Sequence, residues 1–127
     1  MKVIEGLKYS KDHEWVKVDG NKAIIGITDY AQDSLGDVVF VDLPEPGEVV
    51  NAGDAAAVVE SVKAAADIYS PVSGTIIEVN TELEGSPELI NEDPYQNWII
   101  VVEINDASEL DFLMDAEEYE RFCKEEA

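Results

Sequence analysis

The chain has 127 residues, of which 29 are acidic and 8 are basic, so its formal net charge is −21 at pH 7. A protein with this charge repels the phosphates of nucleic acids and anionic lipids, which excludes nucleic acid as a partner and argues against membrane binding. The hydrophobic fraction of 46% is ordinary for a globular protein, so the acidity does not indicate disorder. The length predicts a single domain over residues 1–127.

Cysteine content and the lack of long apolar segments indicate where the protein works. The single cysteine, Cys123, excludes an internal disulfide, and no apolar run is long enough to predict a membrane-spanning helix. The first residues lack the pattern of a signal or transit peptide. We therefore expect a monomer in the cytoplasm, or in the mitochondrial matrix if this is a mature eukaryotic chain.

The first part of the chain predicts a β-hairpin followed by a short helix. Apolar residues alternate at 14–18 and recur at 22–27, and residues 19–21 (DGN) are typical of a turn. Thr28 is placed to cap a helix over residues 29–35, because its hydroxyl can accept a backbone N–H of the first turn. Gly36 is placed to end that helix.

Short β-prone runs then alternate with turn residues. They cover residues 37–43, 48–50, 76–79 and 98–104, and prolines, glycines and asparagines stand between them. Residues 80–97 predict a loop, because they are rich in Pro, Gly, Asn and Glu. Short strands at this spacing are typical of a β-sandwich or barrel.

The C-terminal segment has the pattern of an amphipathic helix. Asp115 and Glu118 have the spacing of a capping box. One face of the predicted helix carries Ala116, Tyr119, Phe122 and Cys123. We expect this helix to pack on the sheet and Cys123 to be a small core residue, and a reactive thiol is the less favoured alternative.

Residues 55–66 allow two interpretations, helix or strand. Their alanines favour a helix, in which Lys63 pairs weakly with Glu60 on the surface. Their valines, and the strands predicted on either side, favour extended structure. Lys63 is also the only basic residue between Lys22 and Arg121, so the role of this isolated lysine in an acidic chain requires an explanation.

A hairpin would give Lys63 a different role. With strands over residues 57–60 and 67–69, the tip of the hairpin falls at residues 61–66 and projects the lysine into water. A modifying enzyme requires an exposed amine on a tight turn, because it must contact the backbone and small side chains around that amine. The residues alone leave both interpretations open.

Seven segments of the sequence resemble the H proteins of the glycine cleavage system. They are residues 12–15 (DHEW), 26–32 (GITDYAQ), 35–41 (LGDVVFV), 43–47 (LPEPG), 60–64 (ESVKA), 70–74 (SPVSG) and 78–80 (EVN). These segments span nearly the whole chain, in the order and at the spacing of the family. A lone VKA tripeptide would be a weak signal, but the set together is a strong one.

The resemblance implies a mainly β fold, a barrel-sandwich hybrid of small antiparallel sheets with short helices and a C-terminal helix. Tertiary pairing then overrides the helix propensity of the alanines. The resemblance makes Lys63 the attachment site of lipoic acid, joined through an amide. It also places Glu60, Ser61, Val62 and Ala64 around that site.

The same resemblance implies a carrier that is not itself an enzyme. It would take the aminomethyl group of glycine from a pyridoxal-phosphate glycine decarboxylase to a tetrahydrofolate-dependent aminomethyltransferase. An FAD-containing dihydrolipoyl dehydrogenase would then reoxidise the lipoyl arm. A lipoate ligase or lipoyltransferase would attach the cofactor to the lysine.

Two acidic residues, Glu14 and Asp67, match positions that line the cleft for the loaded arm in this family. Asp12 is expected to assist them, at a position where relatives often have a hydroxyl residue. A cleft lined by carboxylates would hold the ammonium end of the arm and exclude water. The alternative is that all three are ordinary surface acids.

The only histidine, His13, stands beside Glu14. A single histidine and a single cysteine do not complete a metal site, so we expect no bound metal. The favoured interpretation of His13 is therefore a structural residue and not a general base.

One segment departs from the pattern of the family. The family usually has a glycine-containing turn between Pro-Tyr and the following tryptophan, whereas residues 94–98 here are PYQNW. Asn97 tolerates a positive φ and would take the place of the glycine. The resemblance to the family therefore does not determine the geometry of this loop.

Other functions remain open from the sequence. One is a lipoyl or biotinyl carrier for another complex, although biotin carriers generally flank the lysine with methionines, which Val62 and Ala64 are not. A second is a lipoate-relay protein that keeps the fold but serves ligases. A third is an acidic interaction module whose lysine is never modified.

Overall fold

Two antiparallel sheets form the centre of the protein in a computed structural model, which describes residues 1–126. The strands are β1 (Lys8–Tyr9), β2 (Glu14–Asp19), β3 (Lys22–Ile27), β4 (Val38–Asp42), β5 (Val49–Val50), β6 (Ala55–Ser61), β7 (Ala65–Tyr69), β8 (Gly74–Val79) and β9 (Ile100–Ile104). A six-stranded sheet has the order β1-β2-β3-β9-β8-β5, and a three-stranded sheet has the order β4-β6-β7. The predicted mainly β fold is confirmed.

Helices lie between the strands and at the C-terminal end of the described chain. They are α1 (Asp29–Leu35), α2 (Glu82–Gly85), α3 (Leu89–Glu92), a 3₁₀ helix (Ala107–Phe112) and α4 (Ala116–Glu126). Within residues 1–126, none of these helices has both the length and the apolar character needed to cross a membrane.

The ends of α1 follow the predicted hydrogen bonds. The hydroxyl oxygen of Thr28 accepts the N–H of Ala31 at 3.2 Å, which satisfies a donor of the first turn. Gly36 ends the helix with a φ of +81°, a left-handed conformation that favours glycine. Both predictions for this helix are confirmed.

The predicted capping box and buried face of α4 are also confirmed. Asp115 donates its N–H to the carboxylate of Glu118 at 3.2 Å, and Glu118 donates its N–H to Asp115 at 2.8 Å. The buried side chains of α4 are Ala116, Tyr119 and Cys123, and Phe122 packs partly buried beside them. Cys123 is thus a core residue, and burial raises the pKa of its thiol.

The segment 80–97, predicted as a loop, contains the two short helices α2 and α3. Each has only four residues, so neither shows the helical periodicity by which a sequence is recognised. Leu83 and Ile90 are fully buried and fix these helices to the core. Burial of one side chain per helix, and not propensity, explains this difference from the prediction.

The main core lies between the two sheets. β-branched side chains dominate it, as expected of strands that pack face to face. The six-stranded sheet contributes Val16, Ile25, Ile27, Ile76, Ile100 and Val102, and the three-stranded sheet contributes Val41, Val59 and Ile68.

Residues 55–66 form a hairpin, so the helix interpretation of this segment is wrong. Strand β6 pairs with β4 on one side and with β7 on the other. Strand pairing on both sides provides hydrogen-bond partners for the backbone N–H and C=O groups of this alanine-rich segment. This outweighs the local preference of the segment for a helix.

Candidate functional site

Lys63 lies at the tip of the hairpin formed by β6 and β7, and its side chain is exposed. The strands extend closer to the tip than predicted, so only residues 62–64 form the turn. Ser61 closes this turn by donating its N–H to the carbonyl of Ala64 at 2.8 Å. Its hydroxyl oxygen also accepts the N–H groups of Lys63 and Ala64, each at 3.1 Å. The hydroxyl of Ser61 therefore fixes the backbone conformation at Lys63.

The amine of Lys63 is free to react with another molecule. Among residues 1–126, no carboxylate forms an ion pair with it. The side chain passes over Gly36, where an added Cβ would lie 2.9 Å from Cε of Lys63. A side chain at position 36 would thus displace the lysine and would also be strained, because φ is +81° there.

The residues around Lys63 are mostly accessible as well. Glu60, Val62 and Ala64 are exposed, whereas Ser61 is half-buried because its side chain faces the turn. This setting is compatible with covalent attachment of a carboxylic acid to the lysine through an amide, because another protein can contact both the amine and its neighbours.

A hydrogen-bonded segment below the turn supports it. Val62 donates its N–H to the carbonyl of Asp37 at 3.0 Å. The side chain of Asn91, from α3, donates to the carbonyl of Gly36 at 2.9 Å and accepts the N–H of Val38 at 2.8 Å. It donates also to a glutamine of α1 at 3.0 Å. Asn91 thus fixes the segment to which the lysine turn is attached.

Sequence analysis did not identify Asn91 as a residue of the site. It lies in the segment predicted as a loop, and only the folded chain brings it below the hairpin. The one local signal in the sequence is an amide side chain beside an isoleucine, which is not specific. Its role depends on contacts with backbone groups, which have no sequence pattern.

Glu14 lies in the interior and is only 1% exposed. One carboxylate oxygen accepts the hydroxyl of Ser10 at 2.6 Å, and the other accepts the backbone N–H of Tyr69 at 3.1 Å. Glu14 belongs to β2 in the six-stranded sheet, whereas Tyr69 belongs to β7 in the three-stranded sheet. This carboxylate therefore joins the two sheets.

The buried position changes the acidity of Glu14. Burial raises its pKa to about 7, although the hydrogen bonds from Ser10 and Tyr69 act in the opposite direction. The negative charge of Asp12 adds a smaller rise. Near neutral pH, the side chain is therefore divided between its neutral and its ionised form.

The two other predicted acids of the arm cleft are on the surface. Asp12 is exposed and near enough to Glu14 to affect its pKa. Asp67 is exposed on β7, two residues before the Tyr69 that binds Glu14. In the described part of the chain, no hydrogen bond joins Asp67 to either of the other acids. The structure thus brings Asp12 and Glu14 together and places Asp67 on the adjacent strand.

His13 connects the start of β2 to α4. Its Nδ1 shares a hydrogen bond with the hydroxyl of Tyr119 at 2.7 Å, and its Nε2 lies 3.0 Å from the carboxylate of Glu126. The ring stacks on Tyr30 at a centroid distance of 4.5 Å. Both ring nitrogens are engaged in these structural contacts. Over residues 1–126, no group of three histidine, cysteine or acidic side chains is arranged to hold a metal ion.

The prediction of a positive φ at Asn97 is wrong. Among the described residues other than glycine, only His13 has a positive φ. The side-chain amide of Asn97 instead donates to the carbonyls of Leu89 and Asp93, each at 2.9 Å. These bonds close the loop without a left-handed residue, so no glycine is needed there.

Comparisons with known proteins cover almost the whole chain. The family model described as glycine cleavage H-protein matches residues 7–126. The glycine cleavage system H protein of Alkaliphilus oremlandii is 61% identical over 127 residues, which cover 100% of both chains. Glycine cleavage system H protein 2, mitochondrial, of Arabidopsis thaliana is 58% identical over 125 residues, covering 98% of this chain and 80% of that protein. The crystal structure of a glycine cleavage system H protein from Mycobacterium marinum is similar with a TM-score of 0.88 and 37% identity, over 96% of this chain and 99% of that one.

Proposed function

The chain belongs to the glycine cleavage H-protein family, and from this premise we propose that Lys63 is the residue to which lipoic acid is attached. The observation that carries the proposal is an exposed amine on a turn whose backbone is fixed by Ser61. Within residues 1–126 no ion pair holds this amine, so an acylating enzyme meets no competing partner. Glu60, Val62 and Ala64 are the exposed neighbours that such an enzyme would contact.

The proposed role is that of a carrier in glycine cleavage, with the chemistry supplied by other proteins. Lipoic acid supplies, when bound, a strained disulfide ring whose sulfur can take up the aminomethyl group. The proposed partners are a pyridoxal-phosphate glycine decarboxylase, a tetrahydrofolate-dependent aminomethyltransferase, an FAD-containing dihydrolipoyl dehydrogenase and a lipoate ligase or lipoyltransferase. The contribution of this chain is to present Lys63 to each of them in turn.

Protection of the loaded state is the second part of the proposal. Glu14, Asp67 and Asp12 are proposed to attract the ammonium group that the loaded arm carries, because a carboxylate lowers the energy of a nearby cation. The position of Asp67 on the strand that follows Lys63 supports this role. Support for Glu14 comes from its contact with that same strand through Tyr69.

The attachment site is tested by lipoylation in solution. The purified protein is incubated with lipoate, ATP and a lipoate ligase, and its intact mass is measured before fragmentation. We expect one lipoyl group at Lys63 and none on Lys63→Arg, with the other lysines as internal controls. Modification elsewhere, or none on a folded sample, would contradict the proposed site.

Turnover of glycine separates this function from a lipoate relay or a carrier for another complex. The lipoylated protein is mixed with the three partner enzymes, and release of carbon dioxide from glycine is followed. Turnover that requires the lipoylated chain supports the proposed function. A lipoylated chain that supports no turnover, but passes its lipoyl group to another acceptor, would favour the relay.

The protective role has its own test. We expect Glu14→Gln combined with Asp67→Asn to speed the loss of ammonia from the aminomethyl-loaded protein. Gln and Asn keep the size of the side chains and remove the charge, so the comparison isolates electrostatic attraction. An unchanged rate of ammonia loss would show that these acids do not hold the arm.

A further inference from the structure

Three large apolar side chains are exposed beside the lysine turn. Val39 and Phe40 lie on β4 and are 54% and 49% exposed, and Val62, in the turn itself, is 67% exposed. We name these three residues the bulge patch. Apolar side chains grouped on the surface of an otherwise highly charged protein indicate a contact with another molecule.

An irregularity in strand pairing keeps the patch exposed. Val38 pairs with Ser61 and Phe40 pairs with Glu60, so Val39 is an extra residue in β4 at this point. In a regular strand, successive side chains point to opposite faces, and either Val39 or Phe40 would face the core. The bulge instead leaves both in solvent, as bulges do where they redirect a side chain near a functional site.

The patch is continuous with Lys63. Val62 precedes the lysine directly, and its N–H donates to the carbonyl of Asp37, next to the start of β4. The turn and the patch therefore form one surface, and a protein that reaches the amine covers the patch as well. Exposed acids border this surface, namely Asp37, Asp42 and Glu60.

We propose that the bulge patch is the docking contact for the lipoate ligase that acylates Lys63. The partner surface has an apolar pocket that receives Phe40 and Val62, with basic side chains around it that face the bordering acids. The position of the bulge patch beside Lys63 favours this enzyme as the partner. The enzyme must cover the turn of the unmodified protein before any other partner acts. The inference rests on the proposed lipoylation of Lys63.

Matched pairs of variants test the docking contact. Val39→Ser is compared with Val49→Ser, and Phe40→Ser with Phe112→Ser. Val49 and Phe112 are 72% and 87% exposed, on β5 of the other sheet and at the end of the 3₁₀ helix, so all four changes affect exposed side chains. Initial rates of lipoylation are measured against the concentration of the carrier, with lipoate and ATP in excess.

We expect Phe40→Ser to raise KM for the carrier about tenfold with little change in kcat, which is the usual cost of truncating a central aromatic contact. Val39→Ser should raise KM about threefold, as expected of a smaller side chain at the same interface. The controls Val49→Ser and Phe112→Ser should match the wild type. A patch variant that also matches the wild type would overturn the inference.

A competition assay tests docking without acylation. Lys63→Arg keeps the bulge patch but offers no lysine at the turn, so an excess of it should inhibit lipoylation of the wild type. Adding Phe40→Ser to this competitor should remove the inhibition, whereas adding Phe112→Ser should not. Equal inhibition by all three competitors would overturn the docking contact. Failure of the wild type to be lipoylated would instead overturn the proposed function on which the inference rests.

Discussion

The Lys63 turn and the Glu14 site place an amine and a carboxyl group in opposite environments. Lys63 is exposed and, within residues 1–126, has no ion pair, whereas Glu14 is 1% exposed and has both carboxylate oxygens hydrogen-bonded. The exposed amine lies on a turn, and the carboxyl group that joins the two sheets lies between them. The difference shows that the exposed amine is accessible to another molecule, while the buried carboxyl group affects the stability of the whole fold.

Ionisation of the buried Glu14 has the largest expected effect on stability. Burial raises the pKa of Glu14 from 4.5 to about 7, so the folded protein keeps a proton that the unfolded chain releases between these pH values. This stabilising contribution is complete below pH 4.5 and is lost as pH rises through about 7. The shift corresponds to about 3 kcal/mol in the free energy of unfolding.

Glu14→Gln provides the reference for that measurement, because it cannot ionise. We expect the free energy of unfolding of the wild type to fall relative to the variant between about pH 5 and pH 8, as determined by urea denaturation at each pH. The many other acids are common to both proteins, so their titration cancels. A difference that stays constant with pH would show that burial does not perturb Glu14.

Asn91→Ala tests the support of the lysine turn. The variant leaves the carbonyl of Gly36 and the N–H of Val38 without their partner, which we expect to lower the free energy of unfolding by about 2 kcal/mol. Lipoylation at Lys63 should also slow, because the segment bonded to the turn is no longer fixed. Urea denaturation and initial rates of lipoylation measure the two effects.

Asn97→Ala is the matched control for that variant. Its amide also bonds two backbone carbonyls, those of Leu89 at the start of α3 and of Asp93 after that helix, and not the Gly36–Val38 segment below the lysine turn. We expect a smaller loss of stability, because both carbonyls also accept a backbone N–H that the variant keeps, and no change in the rate of lipoylation. Equal slowing in both variants would mean that general destabilisation, and not support of the turn, explains the effect.

Ser61→Ala has the smallest expected effect. It removes the acceptor for the N–H groups of Lys63 and Ala64, but water can replace it at this exposed turn, so we expect a loss of about 1 kcal/mol. Amide hydrogen exchange at both residues should become faster. Ser34→Ala, an exposed serine of α1, is the control and should leave this exchange unchanged.

Features that depend on neighbouring residues could be predicted from the sequence. The cap of α1 by Thr28 joins residues only three positions apart, and so does the capping box of Asp115 and Glu118. The turn residues between β2 and β3 likewise specify their hairpin within a few positions. The exposed lysine also followed once the hairpin was preferred over the helix, and the family resemblance supplied that preference.

Features that depend on distant parts of the chain could not be predicted in this way. The burial of Glu14 results from a bond to the backbone of Tyr69, 55 positions away, and backbone groups carry no sequence signal. The bulge at Val39 depends on how β4 pairs with β6. The conformation of Asn97 was wrongly predicted, because its side-chain bonds to Leu89 and Asp93 replace the turn that a glycine would form.

The contact between His13 and Tyr119 has a consequence for how the protein is made. The two residues are 106 positions apart, and Tyr9 also stacks on Tyr119 at 4.5 Å. A ribosome adds about 5–20 residues per second, so the aromatic face of the first strands waits roughly 5 to 20 s for the segment that covers it. The N-terminal hairpin therefore emerges with an exposed apolar face, which α4 covers once it has been synthesised.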